Sequence, residues 1–444
     1  MTPMKSTMQF RRAAVLCVAM AGWIFTAAAQ TNTENFAQFR FNFNNPGARA
    51  TGIGGAFISI ADDATAAEAN PAGLTSIIRP EISLETKGIE FKQKVGNFSH
   101  TGTAANFSLV SNVFHRPVIS PSFASVVFPM RGITLSAFRY ELVNFESAWY
   151  TKGSLVPGIP STSTFFGATY FPVKADNTLK VVNWGLAGAH KFSGKFSVGA
   201  SAGVSTISMQ SSLTRYFLEV FNEGSVANVA TIDDTDLNFF FNAGIIYRPT
   251  DNFAVGAIFK RRPTFQITHK FRFTNFPVDS TLTKNINFHV PSSVGLGVSY
   301  RPTDVLTFSL DAVYVLYSQL TSDFVLTISE DASKASDYKV DDGFEIHGGG
   351  EYVLFLKSVA LVLRGGVYLE PDNRIRFVGN VNDSADPDRI FSRQLLAGLF
   401  VKGDSYVHGT FGVGLVFSNS FQLDVAGNLS SVTDELVGSL VVRL

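Results

Sequence analysis

Apolar and polar side chains alternate with a period of two through much of this chain. From Leu306, one face reads Leu306, Phe308, Leu310, Ala312, Tyr314 and Leu316; the other reads Thr307, Ser309, Asp311, Val313, Val315 and Tyr317. Toward the C-terminus, Val407, Phe411, Val413, Leu415 and Phe417 oppose His408, Thr410, Gly412 and Gly414. The same split puts Phe421, Leu423 and Val425 against Gln422, Asp424 and Ala426, with Asn428 and then Arg443 falling on the polar faces. Successive side chains of a strand point to opposite faces, so these are strands with one apolar and one small or polar side. Such a chain folds either as sandwiches with dry cores or as a closed barrel in lipid with a polar lumen.

Charge and export choose between them. Only 16% of the 444 residues are charged, against about 25% in soluble proteins. No run after residue 30 approaches the roughly 20 apolar residues of a membrane-crossing helix. Residues 1–29 have the form of a secretory signal: Lys5, Arg11 and Arg12, then an apolar stretch from Ala13 to Phe25, then Ala27-Ala28-Ala29 before Gln30. Cys17, the one cysteine, lies inside that segment behind Leu16, whereas a lipoprotein signal needs a small residue there. The exported chain therefore has no disulfides. The 36 basic residues equal the 36 acidic ones, which gives no basic face for nucleic acid. Only helices and closed barrels satisfy their backbone in lipid. The expectation is a bacterial outer-membrane, antiparallel transmembrane β-barrel; a sandwich of this length would need several domains, and no linker separates any.

Short turns count the strands. Tyr247-Arg-Pro-Thr-Asp251 and Tyr300-Arg-Pro-Thr-Asp304 are one turn used twice, in which Pro pre-sets the backbone and Asp binds neighbouring amides. Pro129–Gly132, Ser193–Lys195, Leu356–Ser358 and Ser418–Ser420 are four more, and polar stretches near 146–179, 209–236, 266–287, 318–341 and 371–404 separate them. Twelve strands joined by these turns, with one before and one ending at Leu444, make about 14. The apolar stretch Leu395–Val401 is placed in the last long loop, with 16 strands as the alternative. Residues 80–444 form the barrel. Residues 30–79 hardly alternate and are dense in Gly and Ala from Ala50 to Leu74, so they read as a plug of short helices in the lumen. Asp62 or Asp63 is placed to cap a helix through Ala69 that Asn70-Pro71 would end.

The stretch from Gly47 to Leu74, with Asn70-Pro71-Ala72 behind an acidic-alanine run, resembles the N-terminal hatch of the FadL-type outer-membrane transporters of long-chain fatty acids and other hydrophobic compounds. Pro291–Pro302 with Asp311, and Leu363-Arg-Gly-Gly-Val-Tyr368, look similar too. The resemblance runs over nearly the whole chain after residue 29, with only the hatch motif specific. It implies a 14-stranded barrel closed by its N-terminus and passive movement of a fatty acid-like molecule inward. It also implies a hatch that shifts around Asn70, Pro71, Ala72, Gly52, Gly54 and Gly55, and a lateral opening toward the outer-membrane lipids. Two features depart from common barrels: the chain ends on Leu444 instead of an aromatic, and only Trp149 and Trp184 follow the signal. A similar start occurs in PorV-like secretion barrels, whose partners are exported proteins, so protein cargo is the alternative.

Other chemistry reads blandly. Gly52-Ile-Gly54-Gly55 lacks the third glycine of a dinucleotide loop, where Phe57 stands, and fits close-packed plug backbone better. The histidines show no metal-ligand spacing. Asp233-Asp-Thr-Asp236 and Asp341-Asp342 read as solvated loop edges before they read as calcium sites. A serine–histidine pair that meets only in space would make a lipid hydrolase; the reading here is a channel, not an enzyme, with no cofactor. Asp311, His408, Asp424 and Arg443, with Gln422 and Asn428, face the lumen and are expected to tie wall to hatch more than to touch ligand. Of the 42 phenylalanines, most suit lipid-facing positions; Phe57, Phe165 and Phe166 are placed to line an apolar pocket.

Overall fold

Backbone groups inside a bilayer must pair with one another, and here they pair around a closed ring. A computed structural model describes residues 43–444 apart from 101–106, 152–153, 157–167, 171, 217–225, 274–279, 323–333, 384–389, 391–392, 394–395, 398–399 and 419. Residues 1–42, with the expected signal segment and Cys17, lie outside the described residues, as do Phe165 and Phe166.

Fourteen antiparallel strands form the wall. They are β1 (Glu81–His100), β2 (Phe107–Met130), β3 (Ile133–Thr151), β4 (Val173–Lys191), β5 (Phe196–Tyr216) and β6 (Val226–Thr250). Strand β7 comprises Phe253–Arg261 and Thr264–Phe273, and β8 comprises Ser280–His289 and Ser293–Thr303. Then come β9 (Leu306–Val315), β10 (Gly343–Leu356), β11 (Val359–Glu370), β12 (Tyr406–Phe417), β13 (Phe421–Leu429) and β14 (Thr433–Arg443). Pairing of β1 with β14, from Glu81–Arg443 to Phe91–Thr433, closes the ring. The six short turns fall where the sequence places them. Strands β7 and β8 are each broken once, before Pro263 and Pro291, because proline has no N–H for the ladder; Val290 N donates to Pro263 O there at 3.1 Å. The stretch around Leu396 and Phe400 lies off the wall, with Phe400 buried against Tyr338.

Several stretches read as long loops are strands. Strand β6 alone has 25 residues. At about 3.3 Å rise and about 40° tilt it climbs about 60 Å, more than twice the roughly 25 Å apolar band of such barrels. The polarity that suggested loops belongs to the outward face above the lipid. In β5 the lower outward residues are Val198, Ala200, Ala202 and Val204, and the upper ones Thr206, Ser208 and Gln210. The inward face changes the opposite way, from Ser197, Gly199, Ser201 and Ser205 to Ile207, Met209 and Leu213, with Ser211 and Arg215 as polar exceptions. Strand β4 repeats it, with Leu179 and Val181 buried inward above Asn183, Ala187 and Ala189. The lumen is thus polar low and apolar high.

Residues 43–80 enter the barrel. Helix α1 (Ala48–Gly52), helix α2 (Ala66–Ala69) and a 3-10 turn (Pro71–Ser76) are almost wholly buried. Helix α1 packs on β12 and β13, and the 3-10 turn on β4, β5 and β6. Cysteines placed singly at the outward positions Leu310, Phe411 and Leu423 should react in native membranes with lipid-soluble maleimides and not with charged ones. Labelling by the charged reagent would place these strands elsewhere.

Candidate functional site

Backbone geometry fixes the N-terminal segment. Gly54 and Gly55 have φ of 70° and 79°, a left-handed region that favours glycine. This turn brings Gly54 O to His347 Nδ1, at 2.7 Å. Helix α2 starts later than the sequence indicates. Thr65 precedes it without a side-chain cap, and Asp63 instead accepts from Thr65 N at 2.9 Å, organising the turn before the helix. Burial pushes the Asp63 carboxyl above its usual range, against the pull of nearby Arg49. Asn70 ends the helix and caps the 3-10 turn: its Oδ1 accepts from Ala72 N at 3.2 Å, and its Nδ2 donates to Ile58 O at 2.8 Å and to Ile245 O of β6 at 3.2 Å. Asn70 therefore links both halves of the segment to the wall.

The wall makes room with glycine. A Cβ on Gly244 would collide with the Asn70 amide, and one on Gly199 with the Pro71–Ala72 backbone. On the far side, Gly349 and Gly366 lie against Ile53 and Gly54 in the same way, and Gly52 O accepts from Thr410 of β12 at 3.3 Å.

The lumen-facing residues inferred from sequence divide into three groups. Asp311 accepts from Ile58 N at 2.8 Å. Asp424 and Arg443 belong to a continuous buried chain of charges. Arg49 of α1 pairs with Asp62 and with Glu351 at 2.9 Å; Glu351 binds Arg364 at 2.8 Å, and Arg364 binds Asp424 at 2.6 Å. Gln422 donates to Asp424 at 2.8 Å, Arg443 to Gln422 at 2.9 Å and to Glu81 at 3.0 Å, and Glu81 accepts from Ala64 N at 2.9 Å. The chain leaves the segment at Arg49 and returns at Ala64. His408 stands apart, 2.9 Å from Glu370 and stacked at 4.1 Å on Tyr368, whose other face meets His347.

Sequence reasoning missed the partners of Glu68, whose only signal was an acid among alanines. Buried in α2, it accepts from Arg262 at 2.8 Å and from Asn242 at 3.1 Å, with Lys260 3.6 Å away. It also passed over Gly199-Ala-Ser201-Ala-Gly203, which has the spacing of a nucleophile elbow. An elbow needs a strand-to-helix turn, whereas Ser201 sits inside β5 and its Oγ accepts from Asn242 at 3.0 Å. Asp341 and Asp342 are engaged by Lys339, Arg376 and Ser318 N, and these bonds hold the Asp341 carboxyl below its usual range. Among the described residues no group of three or more His, Cys, Asp or Glu is placed to hold a metal ion.

Above the segment, the inner face is apolar. Phe91, Phe123, Phe138, Tyr140, Leu142, Phe145, Leu179, Val181, Ile207, Met209 and Phe240 form one buried cluster. Phe57 joins it under the Arg49 guanidinium, 5.5 Å from ring centre, and so contributes to packing more than to an open pocket. This cluster reaches a break in the wall. The β2–β3 ladder runs from Met130–Ile133 to Phe123–Tyr140 and goes no further among the described residues, although both strands continue. A bulge at Glu141–Val143 bends β3 so that Phe145 packs on Phe91 of β1, ring centres 5.1 Å apart. Side chains bridge the break: Ser120 to Glu141, Asn144 to Ser120 at 3.2 Å, and Arg116 to Glu146 at 3.3 Å.

Residues 24–373 match a family model described as outer membrane protein transport protein (OMPP1/FadL/TodX). Among solved structures, a Pseudomonas aeruginosa FadL homologue is similar with 14% identity and a TM-score of 0.60, over 90% of this chain and 98% of that one. The P. putida toluene transporter TodX is similar with 14% identity and a TM-score of 0.59, over 91% and 99%. The Ralstonia pickettii toluene transporter TbuX gives 15% and 0.55, over 91% and 99%. No curated protein sequence matches.

Substituting Arg364→Ala removes the cation paired with buried Asp424 and one of the two that hold Glu351. Such a loss costs about 3–5 kcal/mol, and a lowered urea midpoint for the micellar barrel should report it. An unchanged midpoint would mean that the charge chain does not hold the fold.

Proposed function

This chain belongs to the OMPP1/FadL/TodX family of outer membrane transport proteins, and from that premise we propose that it takes up long-chain fatty acids or similar hydrophobic compounds passively, gated by its N-terminal segment. Coarsely, it is a hydrophobic-compound channel of the bacterial outer membrane and, like its relatives, not an enzyme. The finer reading rests on one observation: the apolar inner face above the segment leads to the wall where the β2–β3 ladder stops.

On this reading residues 1–29 are removed on export, residues 30–79 are the hatch and residues 80–444 the barrel. A mature N-terminus at Gln30, read by intact-mass analysis, is the expected result; an uncleaved chain would remove the signal reading.

A hydrophobic molecule enters the upper lumen because apolar area leaves water there, at about 25 cal/mol per Å². It leaves between β2 and β3, where side-chain bonds replace the ladder beside the apolar cluster. At about eight residues above the turn, or about 20 Å, the opening lies near the outer edge of the apolar band. Leaving sideways spares the ligand the polar lower lumen. The cations around the hatch, Arg49, Lys260, Arg262, Arg364 and Arg443, are each within reach of a carboxylate. Recognition therefore falls to the ligand's apolar body more than to a head-group charge.

Gating falls to Asn70, Pro71 and Ala72 with the glycines that let the hatch turn. Asn70 ties Ile58 to β6, and Pro71-Ala72 presses on β5, so moving this corner changes the floor beneath the apolar cluster. Deleting Asn70–Ala72, or replacing Gly244 by Val to displace Asn70, should impair uptake of labelled oleate or toluene while the purified barrel keeps its β-sheet circular dichroism. Undiminished uptake by folded variants would remove the hatch from the gate.

A further inference from the structure

The wall carries a second interruption, between β6 and β7. Its lower ladder runs from Thr250–Phe253 to Phe241–Arg261, and its upper ladder from His269–Ile232 to Phe273–Asn228. Between them, residues 233–240 of β6 and 262–268 of β7 form no backbone pairs with each other, although β6 stays paired with β5, and β7 from Thr264 with β8, on their other edges.

Side chains make the rungs instead. Asp234 accepts from Thr268 N at 2.8 Å, Asp236 accepts from Gln266 N at 2.7 Å, and Asn238 donates to Thr264 O at 2.5 Å. Each of the three also accepts the amide of the next residue on its own strand: Thr235 N at 2.9 Å, Leu237 N at 2.8 Å and Phe239 N at 2.7 Å. Three alternate residues thus stand between the two backbones and satisfy the amides a ladder would have used. The acidic run that reads in the sequence as a solvated loop edge is a seam in the wall.

Two further observations make the seam a passage. Its inner flank is apolar, with Phe240, Phe265 and Ile267 buried; its outer flank is apolar at the lower end, where Leu237 and Phe239 are 53% and 66% exposed, and polar above, at Asp233, Thr235 and Gln266. At about nine residues above the periplasmic turn, its lower end reaches about 20 Å, close to the height of the β2–β3 break. Second, the hatch staples its lower end. Glu68 binds Asn242 of β6 at 3.1 Å and Arg262 of β7 at 2.8 Å, on either side of the last backbone pair, Phe241–Arg261, with Arg262 at the proline break of β7.

We propose that the β6–β7 seam is a second lateral passage for small uncharged hydrophobic compounds between the upper lumen and the outer leaflet, closed by the Asp234–Asp236–Asn238 rungs and released when the hatch withdraws Glu68. Parting a seam of side-chain rungs leaves the neighbouring ladders intact, whereas opening a continuous ladder breaks backbone pairs in lipid. The inference rests on the reading of the chain as a hydrophobic-compound channel, but not on the β2–β3 exit.

Cysteine pairs joined by a short bis-methanethiosulfonate test it in cells making the full chain. Asn238→Cys with Thr264→Cys bridges the seam, and Ser120→Cys with Asn144→Cys bridges the β2–β3 break. Val198→Cys with Ile245→Cys, on the continuous β5–β6 ladder, is the control. Uptake of the uncharged dye N-phenyl-1-naphthylamine should persist in part with the β2–β3 bridge alone. It should be lost when the seam is bridged as well and return with reductant, and Glu68→Gln should raise the part that persists. A seam bridge no different from the control overturns the inference and leaves the β2–β3 exit standing. Loss through the seam bridge with none through the β2–β3 bridge does the reverse. No loss through either overturns both.

Discussion

Every strand in this wall answers to one constraint: a backbone amide in lipid must have a partner within the protein. Fourteen strands closed by β1 on β14 meet it without an edge. Wherever the ladder lapses, something else must bind the amides. At β6–β7 the rungs Asp234, Asp236 and Asn238 bind backbone groups directly, whereas at β2–β3 the lapse is spanned by side-chain pairs among Ser120, Glu141 and Asn144. Both lapses begin where the apolar band ends and where the inner face turns from polar to apolar. The wall is weakest beside its apolar lumen.

The lower lumen obeys a different rule. Buried charges are costly unless paired, and those around the hatch are paired in series from Arg49 to Ala64 N. With the glycine contacts at Gly199, Gly244, Gly349 and Gly366, this holds the segment at fixed places on opposite sides of the ring. Glu68 and Asn70 each join the hatch to a strand flanking the β6–β7 seam, so hatch position and wall closure are physically connected there.

Local chemistry made much of this legible. The Tyr-Arg-Pro-Thr-Asp turns carry their own geometry, so six turns counted the strands, and Asn70-Pro71 marked the end of α2. Lipid-facing alternation in β12 and β13 puts Asp424 and His408 on the other side, and both are buried. Above the lipid the alternation keeps its period but reverses its sense, so strands such as upper β5 looked like polar loop. The partners were hidden because they lie far apart in sequence: Asp236 meets Gln266, and Glu68 meets Arg262. The glycines around Ser201 imitate a catalytic elbow when read as a string; in the fold Gly199 lies against the hatch at Pro71–Ala72 and Gly203 against Gly185 and Phe240. Prolines 263 and 291 carried a signal for broken strands that the turn count alone did not use.

The central claim is that the upper lumen holds an apolar molecule. Native mass spectrometry with lipid extraction, on protein purified gently from the outer membrane, tests it most directly. The account predicts a bound fatty acid or other hydrophobic compound near one per chain, lost when residues 30–79 are deleted. A barrel that emerges empty, or carrying a secreted protein instead, would contradict it.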